Sequence, residues 1–329
     1  MRVVVCDRLG DPSVLRVEER PVPEPGPDEV VVKVGAAGVN FPDVLTVAGT
    51  YQHKQELPFV PGMEGSGEIH AVGAHVGKWR TGDRVIFGVR PGAFAEYARV
   101  DARGTAKMMR LPEGWSWAEG AGFRVGAQTA YHALIHRGAL KKGEVLLVHG
   151  AAGGVGLAAV QLGKHLGATV IATGSDDARL AVVGQKGADH LINYRTGDFV
   201  AEVKALTGGR GADVIYDPVG GEVLEKSVRA AAYGARLLIV GFTSGGPSRI
   251  MSNHVLIKGL SVLGLRAGET IARQSPELGR DYEEDLPRLA ALGVMRPHIS
   301  HRFPMERAAD AFRALIDRQV VGKVVITTT

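Results

Sequence analysis

The stretch that most restricts the fold runs from residue 145 to residue 175 and reads VLLVHGAAGGVGLAAVQLGKHLGATVIATGS. An aliphatic strand, a glycine-rich turn, an apolar helix and a second strand follow one another without a gap. Glycine alone says little in a chain with 45 of them, but this context gives the turn a purpose. Small residues let it fold tightly, let another group approach the backbone, and let the helix pack close to the strand. The first turn of that helix offers unbonded N–H groups and a partial positive charge. Such a turn suits the pyrophosphate of a dinucleotide. The pattern fits as Ala151-x-Gly153-x-x-Gly156, so the backbone of Ala151, Ala152, Gly153, Gly154, Val155 and Gly156 is the expected cradle. The alternative is a glycine-rich turn of purely structural use.

About 20 residues further on, the end of the second strand selects the nucleotide. An Asp or Glu there bonds both ribose hydroxyls and repels a 2′-phosphate. This chain has Gly174 and Ser175, followed by Asp176 and Asp177. Ser175 can donate to a phosphate, and Arg179, within one helical turn, can form a forked, charge-assisted pair with it. Tyr194 and Arg195 follow the next strand. These residues favour NADPH over NADH. Asp176 argues the other way if it closes the strand, and Arg179 has the alternative of being a solvated helix residue.

At 329 residues the chain has room for two domains. Up to about residue 120, short β-type runs such as Val3–Cys6, 29–36 and 84–88 are broken by Pro and Gly, which suggests a barrel or sandwich. A short helix is expected at 41–48. From about Phe123, strands at 145–149, 169–173, 191–192, 214–217, 237–240 and 262–265 alternate with helices at 155–166, 177–186, 199–206, 223–231 and 255–257. That alternation predicts a doubly wound parallel sheet with helices on both faces. After about residue 264 come helices at 285–292 and 305–317 and a last strand, GKVVIT, which complete the first domain. The expected division is 1–122 plus 266–329, with 123–265 inserted. The net charge of +4 is spread without a Lys/Arg block, which leaves nucleic acid as a poor partner. No apolar run reaches the length of a membrane span or a signal peptide. The single cysteine, Cys6, rules out an internal disulfide and points to a reducing cytoplasm.

The segments AAGVNFPDVLTVAGTYQ, LPFVPGMEGSGEIHAVG, GDRV, HGAAGGVG, GADHLINYR, ADVIYDPVGG and VVGKVVI occur in that order along nearly the whole chain. Together they resemble a medium-chain dehydrogenase/reductase, and most closely its zinc-free quinone oxidoreductase branch. The resemblance implies an α/β fold in which a Rossmann-type domain is inserted in a GroES-like β-barrel domain. In zinc-dependent relatives three side chains hold a catalytic metal. The matching positions here carry Asn40, Met63 and Ala121, and a carboxamide, a thioether and a methyl group do not make a zinc site. Asp43 and Glu64 remain nearby as buried or salt-bridged structural groups. No metal is expected.

Without a Lewis acid, hydride transfer to an already electron-poor acceptor is the accessible chemistry. A quinone, an enone or an enoyl thioester fits, with the negative charge spreading onto oxygen and a proton arriving afterwards. By resemblance, Asn40 faces the nicotinamide end and donates from its amide. Its plain alternative is a turn residue capping the short helix. Tyr51 matches a tyrosine proposed as proton donor in related enoyl-thioester reductases, or else is an aromatic packing group. The resemblance also places Thr129 near the nicotinamide amide or phosphates, unless it is an ordinary helix residue, and Lys323 either within reach of a cofactor phosphate or simply as the opening residue of an edge strand. Gly241 and Phe242, and then Leu265, follow sheet strands at their carboxyl ends, where open α/β sheets bind ligands. Arg124, a charge in an apolar setting, either greets an anionic substrate or pairs with a carboxylate. The expected activity is an NADPH-dependent reductase of quinones or other α,β-unsaturated carbonyls, with 2-enoyl thioesters as the narrower rival. A non-catalytic NADPH-binding protein, like some lens crystallins, and a zinc alcohol dehydrogenase are the other readings. Relatives dimerise by extending the nucleotide-domain sheet, and LSVLGL (260–265) is the candidate edge for a homodimer.

Overall fold

The computed structural model describes residues 1–89, 92–103, 107–274 and 276–328. It divides into two compact units, Met1–Val125 with Pro276–Thr329, and Gly126–Ser275. The helix Ala267–Gln274 therefore falls with the second unit.

The second unit is built on six parallel strands. From one edge they run His190–Asn193, Thr169–Gly174, Val145–Val148, Ala212–Asp217, Ala231–Ile239 and Ser261–Gly264. Numbered within the unit this is the order 3-2-1-4-5-6, and the direction of winding reverses between the first and fourth strands. Val145–Val148 is buried at every residue, as a central strand covered on both faces must be. Leu147, Ile171, Ile215 and Leu237 from four strands meet Phe199, Val203 and Leu224 from two helices in one core. Local chemistry sets the helix starts. Asp176 caps Asp177–Gln185 by accepting from the Arg179 N–H at 2.9 Å, and Asp198 caps Phe199–Leu206 through Val200 N–H at 3.0 Å. Gly259, at φ +58°, ends Ser252–Lys258.

In the first unit a seven-stranded sheet is ordered Ile299–Pro304, Lys323–Thr327, Glu29–Val39, Glu64–Val72, Arg84–Gly88 and Met108–Arg110, with Tyr97–Asp101 also paired to Glu29–Val39. Glu29–Val39, eleven residues long, thus meets three partner strands. The core beneath it gathers Val30, Val32, Val85, Phe87, Phe94, Phe312 and Ile326. Arg2–Cys6 and Leu15–Glu19 form a separate two-stranded sheet. Among the described residues no helix is long and apolar enough to cross a membrane.

Candidate active site

The carboxyl ends of the six parallel strands carry nearly every nucleotide-binding candidate of the second unit. His149 and the glycine turn follow Val148, Ser175 follows Gly174, Tyr194 follows Asn193, and Leu265 follows Gly264. Gly241 and Phe242 come two and three residues after Ile239. The tight bend is made by Gly150, at φ +54°, one residue ahead of the position assigned to it in the sequence pattern. Gly153 is the N-cap of Gly154–His165 in extended conformation. Gly156 is required by space, since a Cβ there would overlap Gly150 O and lie 2.9 Å from Ala151 Cα. Gly154, Val155 and Gly156 therefore bring the first-turn N–H groups to the bend. Ala151 contributes differently from its neighbours. It is fully buried and its N–H is given to Thr173 O at 3.2 Å, so it shapes the cradle without donating to a ligand.

Behind the bend, His149 is buried between Thr173 Oγ1 and Ser227 Oγ, each 2.8 Å from a ring nitrogen. The Ser227 hydroxyl donates to Val223 O at 2.6 Å, so it accepts from His149 Nε2–H, and Nδ1 accepts from the Thr173 hydroxyl. Burial lowers the imidazole pKa to about 3, which keeps it neutral. On the facing loop, Asp217 Oδ1 accepts from Val219 N–H at 2.6 Å and Gly220 N–H at 3.0 Å, and burial pushes this carboxyl above the usual carboxylate range. Neither residue belongs to the expected site, although each directly follows or ends a central strand, and that position is the signal that marks them.

At the adenosine end, the Asp176 carboxylate is engaged as a helix cap, with the strand already ended at Gly174. Ser175 and Arg179 are half-buried, and the Arg179 guanidinium has no ion-pair partner among the described residues. Tyr194 is exposed, and its N–H bonds Gly174 O at 3.1 Å, which holds the two strand ends together. Thr129 lies on Arg124–Tyr131 one turn beyond Gly126, whose Cβ would sit 3.2 Å from Gly154 O. The spacing puts Thr129 on the helix face that packs near the start of the phosphate-loop helix.

In the first unit, strand register assembles a second cluster. Val324 pairs with Val39, which brings Lys323 beside Asn40, and Gly38 pairs with Glu64. Lys323 Nζ donates to Asn40 Oδ1 and to Glu64 Oε1, both at 2.7 Å. Asn40 Nδ2 donates to Glu64 Oε1 at 2.9 Å, and Val125 N–H donates to Glu64 Oε2 at 2.8 Å. All three side chains are buried, and Glu64 has no exposed surface. Gly38 is needed here, because a Cβ would overlap Ala121 O and fall 2.9 Å from Glu64 Oε1. Asn40 precedes Phe41–Val47 but its side chain makes no capping bond. Asp43 does the capping, accepting from Asn40 N–H at 2.8 Å. Burial raises the Asp43 pKa to about 7. Of the two readings of Lys323, a contact to a cofactor phosphate or a lysine opening an edge strand, the structure shows it opening Lys323–Thr327, an inner strand, and bonded to Asn40 and Glu64, because strand register delivers its ammonium to a buried carboxylate. Tyr51 is half-buried and edge-on to His53 at 5.8 Å, and its hydroxyl bonds to no described residue. Arg124 folds over Gly88, where a Cβ would overlap the guanidinium.

A 3-2-1-4-5-6 sheet with a phosphate loop at its reversal point, inserted in a mostly antiparallel β unit, is the architecture of a dinucleotide-dependent dehydrogenase or reductase. Comparison with known proteins narrows the class. The alcohol dehydrogenase GroES-like domain family matches residues 26–113, and the zinc-binding dehydrogenase family matches residues 154–288. Quinone oxidoreductase-like protein 2 of Bos taurus is 35% identical over 328 residues, covering 99% of this chain and 92% of its own. The crystal structure of Escherichia coli quinone oxidoreductase complexed with NADPH is 29% identical with a TM-score of 0.90, covering 99% and 100% of the two chains. A structure described as an NAD-dependent alcohol dehydrogenase is 32% identical with a TM-score of 0.88, covering 100% of both. The chain belongs to the quinone oxidoreductase-like branch of the medium-chain dehydrogenase/reductase superfamily. It is an oxidoreductase of that family.

The zinc in one family's description does not fit this donor set. Among the described residues no three His, Cys, Asp or Glu side chains converge as metal ligands. Of the carboxylates near Asn40, Glu64 already holds the Lys323 ammonium, and a cation added beside it would meet a fixed positive charge.

Proposed function

We propose that this chain is a zinc-independent, NADPH-dependent oxidoreductase that transfers hydride to quinones or other α,β-unsaturated carbonyl acceptors. The observation that supports the reading is the buried Lys323–Glu64–Asn40 cluster, in which an ammonium and a carboxamide take up Glu64 beside the position where the resemblance gives zinc-dependent relatives a metal ligand. Bound NADPH supplies the hydride, two electrons and one proton. The chain's own residues hold it. Gly154, Val155 and Gly156 would offer N–H groups to the pyrophosphate, while Ser175, Arg179 and Tyr194, after or near the ends of two neighbouring strands, would receive a 2′-phosphate. The second Asn40 amide hydrogen makes a long bond to Gly38 O at 3.4 Å and is the one that can be shared with an oxyanion forming on the acceptor.

A second reading, reduction of 2-enoyl thioesters, is favoured by Tyr51. Reducing a carbon–carbon double bond needs a proton at the α-carbon, and a phenol hydroxyl bonded to no described residue can deliver it. NADPH oxidation measured against a panel of quinones, enones and enoyl thioesters separates the two. Turnover of thioesters with none of any quinone selects the second, and turnover of nothing rejects both.

The same reading includes a homodimer. Ser261–Gly264 is an edge strand with one partner, and Tyr233, Leu256 and Ile257 stand 84%, 82% and 69% exposed around that edge. A second copy adding its own edge strand across a two-fold axis covers them. The buried free thiol of Cys6 suits a reducing cytoplasm.

A further inference from the structure

We propose that Lys323 is a positioning residue, an internal cation that sets the orientation of Asn40 and neutralises Glu64, and not a ligand of the cofactor phosphates. Three contacts close a ring, from Lys323 Nζ to Asn40 Oδ1, from Lys323 Nζ to Glu64 Oε1, and from Asn40 Nδ2 to Glu64 Oε1. The ring admits one orientation of the carboxamide. Turning it over sets the NH₂ group against the ammonium and the oxygen against the carboxylate, replacing two charge-assisted bonds with two repulsions. The second Asn40 hydrogen points out of the ring and makes only a long bond, to Gly38 O at 3.4 Å, which an acceptor oxygen can share.

Charge gives the second reason. Glu64 is completely buried, and an uncompensated carboxylate beside a group meant to receive negative charge opposes hydride transfer. Lys323 removes that opposition with a charge that is part of the chain and so cannot exchange. The packing agrees, since a Cβ on Gly122 would lie 3.3 Å from both Cβ and Cγ of Lys323, and the lysine is only 5% exposed. Two of its three donors are taken at 2.7 Å inside the first unit, and leaving to reach a phosphate would strand Glu64.

The test compares Lys323→Met with Lys323→Met/Glu64→Gln. It reads melting temperature, NADPH affinity by fluorescence titration, and kcat and KM with 1,4-naphthoquinone. Lys323→Met alone strands a buried carboxylate and lowers Tm by about 10 °C; adding Glu64→Gln recovers at least about half of that. NADPH affinity stays within about threefold in both variants, while kcat of Lys323→Met falls roughly 10- to 100-fold with little change in KM. If Lys323→Met does not fold, the double variant decides. Folding with near-normal NADPH affinity supports the proposal, and failure of both chains to fold overturns it. The proposal is also overturned if Lys323→Met weakens NADPH about tenfold or more with no recovery from Glu64→Gln, as loss of a phosphate contact does. Unchanged Tm and kcat overturn it as well. The Tm and affinity comparisons do not depend on which acceptor is reduced, so a chain inert toward every acceptor counts against the reductase reading alone.

Discussion

Replacing Asp43 with Asn tests the electrostatics of the first unit through stability. Asp43 is buried at the third position of its helix, and its pKa rises from the ordinary 3.8 to about 7, chiefly through burial and despite the Lys323 charge. The native protein therefore holds a proton on Asp43 across a range of pH where the unfolded chain has lost it. Folding then takes up a proton, and this group's contribution to stability is full below about pH 4, declines as pH rises, and levels off above about pH 7. Each pKa unit corresponds to about 1.4 kcal/mol, so a displacement of roughly three units sets a ceiling of about 4 kcal/mol. The asparagine side chain in Asp43→Asn keeps an acceptor for Asn40 N–H and has no proton to lose. The difference in unfolding free energy, variant minus wild type, should therefore grow in favour of Asp43→Asn by several kcal/mol between about pH 4 and pH 8. Taking the difference cancels the opposite trend from carboxylates such as Asp101 and Asp83, which hydrogen bonds from Arg103 and Arg110 hold below their ordinary range. Urea unfolding followed by tryptophan fluorescence is the assay, because Trp79, Trp115 and Trp117 are the chain's three tryptophans and all lie in the first unit. A flat difference across that range refutes the reasoning, and a slope of the other sign means the ammonium outweighs burial.

Arg179→Ala should weaken NADPH roughly 10- to 100-fold and NADH by less than about threefold, as read by fluorescence titration. Equal losses, or none, contradict the 2′-phosphate assignment. Gly156→Ala forces a Cβ onto Gly150 O and Ala151 Cα, which are backbone atoms with little freedom to move. It should destabilise the second unit by about 1–3 kcal/mol and cut NADPH affinity at least about tenfold; a wild-type Kd contradicts the geometry of the cradle. Leu256→Glu should convert a dimer to a monomer in sedimentation velocity, and a monomeric wild-type protein refutes the dimer.

The nucleotide unit is the more legible half because its physics is periodic. Phe199–Leu206 and Arg84–Gly88 coincide with the segments read from sequence, since a cap or a turn residue bounds each of them. Trp117–Ala121, Arg124–Tyr131, Ala267–Gln274 and Ile299–Pro304 have no counterpart among the expected elements. The first two lie in a run rich in Ala and Gly with no strong apolar stripe, although Ser116 and Glu119 form a capping box that marks the start. Ala231–Ile239 begins six residues before its apolar run, in a segment with an exposed Tyr233 and Gly234 that reads as a turn. At the site, the glycine loop and its strand ends are readable because their spacing is local. The Lys323–Glu64–Asn40 cluster is not, since Lys323 stands 259 residues from Glu64 and 283 from Asn40 and meets them only through strand register. Each stands out separately in the sequence, and only the fold shows that they act on one another.

The most direct test joins metal content to turnover. Purified chain, dialysed against a strong chelator and analysed for metals, is assayed for NADPH oxidation with a neutral quinone before and after treatment. A reductase that works without a Lewis acid carries less than roughly 0.1 zinc per chain and keeps its rate in the chelator. Stoichiometric zinc, or activity lost on chelation and restored by added zinc, contradicts that chemistry.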